Sequence, residues 1–226
     1  MSGRHAMAVR FGEGLGASAD ECLNDVCLAF SEVLVRMAGA VIAGVKPAAI
    51  FTLPMRAYAA GKWRQLSRGA LDEALRAYAE ALPAYGVELS VLYRTDRRVY
   101  LLVWRPEDLG CTLADPARLS ILREQGYCGT DRRELLVELR RRLVDYYLAV
   151  DAGKRIEFPH EIGVFLGYPA QDVRGFMAGE KATCRGAWHA YGDEQTARRR
   201  FRMLEMHERR CRNRFAAGEP LHALFA

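Results

Sequence analysis

"VELSVLYRTDRRVYLLVWRP", residues 87–106, decides the fold class. Two runs rich in Val, Leu and Tyr flank the turn residues "RTDRR" (94–98), the signature of an antiparallel β-hairpin. Pro106 ends it. Working outward, "ALDEALRAYAEALPAYG" (70–86) places Leu71, Leu75, Tyr78 and Leu82 on one helical face, with Gly86 as the stop. "GKWRQLSRG" (61–69) reads as a loop with a helical turn, and "VKPAAIFTLP" (45–54) as a buried strand of about six residues. Before that, apolar residues recur at helical spacing from Asp20 to Ala38, with Asp20 as N-cap and Gly39 as the stop.

After the hairpin, "DPARLSILREQGY" (115–127) is a helix with Asp115 as N-cap and Pro116 at its first position. "DRRELLVELRRRLVDYYLAV" (131–150) is a longer one. "FPHEIGVFLGYPAQDVRGF" (158–176) reads as two short helices split by "LGYP". "CRGAWHAY" (184–191) reads as one more strand, and a last helix runs from Asp193 to Gly218. A hairpin with helices grouped in blocks predicts an α+β fold rather than a doubly wound parallel sheet. The expectation is a small antiparallel sheet of about four strands, one clear hairpin among them, packed with six to eight helices. Residues 1–18 lack a period and read as a flexible arm, leaving 19–226 as a single domain.

Composition narrows the function classes. Half of the 226 residues are apolar and 27% charged, the ordinary globular mixture. No segment is apolar for long enough to span a bilayer, since "VLVRMAGAVIAGV" (33–45) is short and broken by Arg36. The N-terminus lacks the apolar core of a secretory signal, so the expected place is the cytoplasm, with no membrane partner. The six cysteines form no CxxC pair, which argues against a zinc ribbon or a thioredoxin-type site. The net charge is +5, and arginine is concentrated in "ARRRFRMLEMHERRCRNR" (197–214). That bias permits a nucleic-acid or anionic partner without requiring one. No dinucleotide fingerprint, phosphate-binding lysine loop, HExxH or GxSxG is present.

"AGVKPAAIF" (43–51), "VYLLVWRP" (99–106), "EQGY" (124–127), "FPHEIGVFLGYPAQDVRGFM" (158–177) and "CRGAWHAYGD" (184–193) resemble one family. It is the bacterial domain-of-unknown-function family number 3793, from anaerobes, and the likeness runs from about residue 20 onward. The resemblance implies an α+β domain in the cytosol and no established activity. It also implies a Cys-x-Pro at positions filled here by Ala38 and Ala40, and a cysteine that Cys211 matches.

Three constellations carry chemistry. Met203, His207 and Cys211 follow at i, i+4 and i+8 on one helix face, and Cys184 and His189 on the preceding strand extend that set. Thioether, imidazole and thiolate suit iron, zinc or haem, so the leading expectation is a small-ligand, metal or haem binder in iron or redox handling. Common core residues at helical spacing leave the same trace.

The second constellation is His160, Glu161 and Lys46, an acid/base pair with a lysine at a strand mouth, which would make the protein an enzyme. Neighbours on a helix point about 100° apart, so His160 and Glu161 do not readily share a substrate atom. Pro159 and Glu161 also fit a helix start, where a carboxylate favours the dipole. Lys46 with Arg94, Arg97 and Arg105, and His160 beside them, is the related small-ligand set for an anion.

The third is a helix-turn-helix over residues 160–177. Gly163, Gly167, Val173 and Phe176 fit its spacing, with Ile162 and Leu166 as further anchors. Its second helix would offer Gln171, Asp172 and Arg174, a thin footprint for DNA. Tight packing of two helices through glycine explains the pattern equally well.

Overall fold

A computed structural model describes residues 21–225 except Ala60, Gly61 and Leu66; the expected arm over 1–18 lies outside the described residues. The described chain gathers into two compact units. The first takes the chain through Val45, Ala49–Arg105 and Met206 onward; the second takes Lys46–Ala48 and Pro106–Glu205. Among the described residues, eight helices and a small antiparallel sheet confirm the α+β class. No helix among the described residues is long and apolar enough to cross a membrane.

In the first unit, α1 (Glu21–Ile42) is followed by β1 (Ala48–Pro54) and the hairpin of β2 (Arg56–Ala59) and β3 (Lys62–Gln65). Then come α2 (Arg68–Ala81), a 3₁₀ turn (Leu82–Tyr85), β4 (Glu88–Arg94) and β5 (Arg98–Trp104). The sheet order is β1–β5–β4, so the sequence-legible hairpin supplies its centre and one edge. Leu71, Leu75, Tyr78 and Leu82 are all buried, as the helical period requires, and Gly86 closes the turn at φ +68°.

Two expectations change here. α1 does not stop at Gly39 but continues to Ile42 across a kink at Ala38 (φ −123°, ψ 18°). "KWRQ" is a strand, not a loop or helical turn: β2 and β3 pair antiparallel with Tyr58 opposite Trp63. Four-residue strands are too short to show a period, so the loop reading missed them.

Gly39 permits a close approach of the last helix. A Cβ there would sit 3.3 Å from Cα of Glu208 and 3.6 Å from Cβ of Cys211, on the last helix. Inside this core the Tyr78 hydroxyl donates to the Cys27 carbonyl at 3.1 Å and lies 2.6 Å from the Ser31 hydroxyl, so the buried phenol is satisfied.

The second unit contains α3 (Pro106–Leu113), α4 (Pro116–Glu124), α5 (Arg132–Asp151), α6 (Ile162–Phe165), α7 (Ala170–Met177), β6 (Cys184–Arg185) and β7 (His189–Ala190). Helix α8 (Glu194–Ala216) begins here and ends in the first unit, and a short 3₁₀ turn (Leu221–Leu224) follows it. Asp115 caps α4 as expected, its carboxylate accepting from the Ala117 amide at 2.9 Å. Helix α3 was not anticipated, although Pro106 at its start and Glu107 and Asp108 in its first turn are helix-start signals. "CRGAWHAY" is not one strand but a tight hairpin, with Cys184 opposite Ala190 and Arg185 opposite His189. The chain reverses at Gly186, where any Cβ would collide with the ring of Phe201.

The side chain of Arg105 is committed to the fold. Its guanidinium donates to the carbonyls of Val41 (2.7 Å) and Ile42 (2.9 Å) at the end of α1, the first of which also accepts from the Gly44 amide at 3.1 Å. Arg105→Ala is expected to destabilise the protein by about 1–3 kcal/mol, since two part-buried carbonyls lose charged donors. Urea unfolding checks this; an unchanged midpoint would remove the capping role.

Candidate functional site

In the second unit, a cavity lies where α6, α7 and the β6–β7 hairpin meet. Pro159 lies in the turn before α6, its carbonyl accepting from the Ile162 amide at 3.1 Å, and not at the first helical position that the sequence suggested, because the helix begins only at Ile162 after Glu161. Gly163 then lets α7 approach: a Cβ there would stand 2.9 Å from Cγ2 of Val173 and 3.1 Å from the Tyr168 ring. Gly167 has φ +78°, and a Cβ on it would meet the Pro47 ring at 2.6 Å. Both glycines therefore do what tight packing asks of them.

Asp172 ties this helix pair to the hairpin. It is only 4% exposed, and its two oxygens accept from Trp188 Nε1 at 2.7 Å and from the Tyr191 amide at 2.8 Å. Trp188 is thereby held stacked on Tyr168, with ring centroids 4.9 Å apart. Between these groups is a cavity of about 230 Å³. Ile162, Val173, Tyr168 and Trp188 supply apolar wall, and Asp172 also lines it. His160 and His189 line it too, each against the ring of Phe176 (4.8 and 5.6 Å between centroids). Phe176 itself is 41% exposed.

His160 also borders a more polar cavity of about 450 Å³ lined by Arg142, Glu157 and Glu161. Glu161, 3% exposed, does not serve the helix dipole as the sequence suggested. Its carboxylate accepts from the Tyr127 hydroxyl and from Arg142 Nη1, each at 3.2 Å. Arg142 is held in turn by Glu138 (2.7 Å) and the Gln125 carbonyl (2.6 Å), and lies 4.3 Å from the Tyr127 ring centre. Burial, and then the Glu161 charge, push the Tyr127 hydroxyl's pKa up, so Tyr127 stays a donor. Glu161 is thus spoken for, while His160 faces aromatic rings.

Lys46 stands 5.5 Å from the ring centre of Tyr168, a cation–π distance. The anion set with Arg94 and Arg105 is not assembled. The antiparallel register puts Arg94 opposite Val99, six residues and about 20 Å along β5 from Arg105. Arg94 pairs with Asp72, and Arg105 with the α1 carbonyls. Arg97 is exposed in the turn between β4 and β5.

On α8, Met203 is 39% exposed, His207 half-buried and Cys211 buried in the first unit's core. Cys184 packs with Ala190, Ala197 and Phe201, whereas His189 lines the cavity. Among the described residues no group of three His, Cys, Asp or Glu is placed to hold a metal ion. The expected ligand set is therefore dispersed, because a helix face that must pack a core uses Cys as a small apolar residue. In the helix-turn-helix reading, Val173 is a buried anchor but Phe176 is not. Arg174, the one basic residue of α7, is gripped by Glu124 at 2.6 and 2.7 Å. Asp172 faces inward.

The chain belongs to the family described as "Protein of unknown function (DUF3793)", which matches residues 34–225. No curated protein and no solved structure matches it.

Burial pushes the Cys211 thiol up to about 11, and burial followed by the Glu73 charge does the same for Cys27. Both folded values lie above the ordinary thiol value of 9.0. This contribution to stability is complete below pH 9 and is lost as pH rises through 9 toward 11. At pH 8, brief iodoacetamide treatment is expected to label the exposed Cys111 and Cys128 and to spare Cys27, Cys184 and Cys211. Peptide mass mapping checks it; prompt labelling of Cys211 would contradict its burial.

Proposed function

We propose that this protein binds a small, flat, largely apolar molecule in the cavity between α6, α7 and the β6–β7 hairpin. The observation behind this is the convergence of His160 and His189, 29 residues apart in sequence, on one exposed aromatic ring, Phe176, in the lining of one cavity. A concave, mostly apolar site with a few convergent polar groups is what small-molecule recognition requires. The volume of about 230 Å³ suits a one- or two-ring compound. Tyr168 and Trp188, stacked on each other, supply aromatic wall, Phe176 supplies an exposed ring, and the two imidazoles offer hydrogen bonds. Asp172 has both oxygens engaged, so it shapes the wall rather than answering the ligand.

Indole is a suitable probe. Titration followed by ¹H–¹⁵N NMR is expected to move the Trp188 indole N–H signal with a dissociation constant on the order of millimolar, the affinity open to so small a ligand. Phe176→Ala, at a half-exposed site, is expected to weaken binding about threefold to tenfold. An unmoved Trp188 signal, or equal binding by the variant, would overturn the proposal.

A further inference from the structure

Helix α8 carries the whole net charge of the protein. Its 23 residues include eight arginines and three glutamates, a surplus of five, and the full chain's charge is also +5. The remaining sequence is balanced. All eight basic residues of the helix are arginine, with no lysine among them.

The helical repeat sorts these charges. Arg199, Arg202, Arg209 and Arg210 fall within an arc of about 100°, on a stripe about 16 Å long that also holds Met206. All four arginines are exposed. Ala197, Leu204 and Cys211, on the opposite side, are buried. The other arginines mostly have carboxylate partners: Arg198 with Glu194, Arg212 with Glu208, and Arg214 with Glu219. The four on the stripe form no salt bridge among the described residues. A helix face that is merely solvated usually alternates sign and pairs at i, i+4. This one does not.

We infer that the α8 stripe is a docking surface for the phosphodiester backbone of a nucleic acid. The charge is complementary to it, and the planar guanidinium forks match phosphate oxygens in pairs. An anionic membrane is a poorer fit, because a helix lying on a bilayer inserts its apolar face, and here that face is packed inside protein. Contacts to the backbone imply affinity with little sequence preference. The inference is independent of the cavity proposal, since none of these arginines lines that cavity.

The test is fluorescence anisotropy with a mixed-sequence 20-base-pair duplex at several salt concentrations. Four phosphate contacts imply a slope of log K against log salt of about −3.6, a loss of roughly 150-fold between 50 and 200 mM. Arg202→Gln with Arg209→Gln is expected to make the slope shallower by about 1.8. The fourfold variant Arg199→Gln, Arg202→Gln, Arg209→Gln and Arg210→Gln is expected to abolish binding at 100 mM salt. A control of equal charge, with the exposed Arg97, Arg98, Arg133 and Arg140 changed to Gln, is expected to keep it. The inference is overturned by no binding at 50 mM salt, by equal losses in control and stripe variants, or by tighter binding to phosphatidylserine vesicles than to duplex.

Discussion

The carboxylate of Asp172 organises the second unit. It is almost wholly buried, and its charge is tolerable there only because both oxygens have donors, the Trp188 indole and the Tyr191 amide. Those donors lie 16 and 19 residues further along the chain. One side chain on α7 thereby fixes a hairpin of only two residues per strand, too short to be stable by its own pairing. The fixed hairpin presents Trp188 to Tyr168 and His189 to Phe176. That anchor adds to the packing of Cys184 and Ala190 on Ala197 and Phe201 in holding the cavity wall in place.

Glu161 plays a parallel part at the neighbouring cavity. A buried carboxylate, one tyrosine donor and one arginine link the turn before α6 to α5 and to the segment after α4. Such pairs contribute little net stability compared with apolar packing, but breaking one partner is costly. Both acidic side chains therefore act as connectors. The cavity's chemistry falls to histidine and aromatic groups.

The hairpin at 87–106, helix α2 and the cap of Asp115 were legible because each is written in local spacing: alternation, a 3.6-residue period, and Asp before Pro. The glycines of α6 and the following turn were legible for the same reason. Asp172 and Glu161 were not. Read locally, Asp172 is a surface charge of a recognition helix, and Glu161 a first-turn acid. Their partners, Trp188, Tyr191, Tyr127 and Arg142, are 16 to 34 residues away, and no period relates them. Cys211 illustrates the reverse error. Its spacing from His207 and Met203 suggested ligands, whereas Gly39 and the core around it claim the thiol for packing. The short strands β2 and β3 left no pattern long enough to count.

The most direct test of the organising role of Asp172 is amide hydrogen exchange on Asp172→Asn, compared residue by residue with the parent protein. An amide nitrogen would stand where one donor now meets a carboxylate oxygen, leaving Trp188 Nε1–H or the Tyr191 N–H unanswered. The account predicts faster exchange, by roughly tenfold or more, at Tyr191 and along residues 184–191, with α2 and β5 unchanged. Unchanged protection across the hairpin in the variant would contradict it.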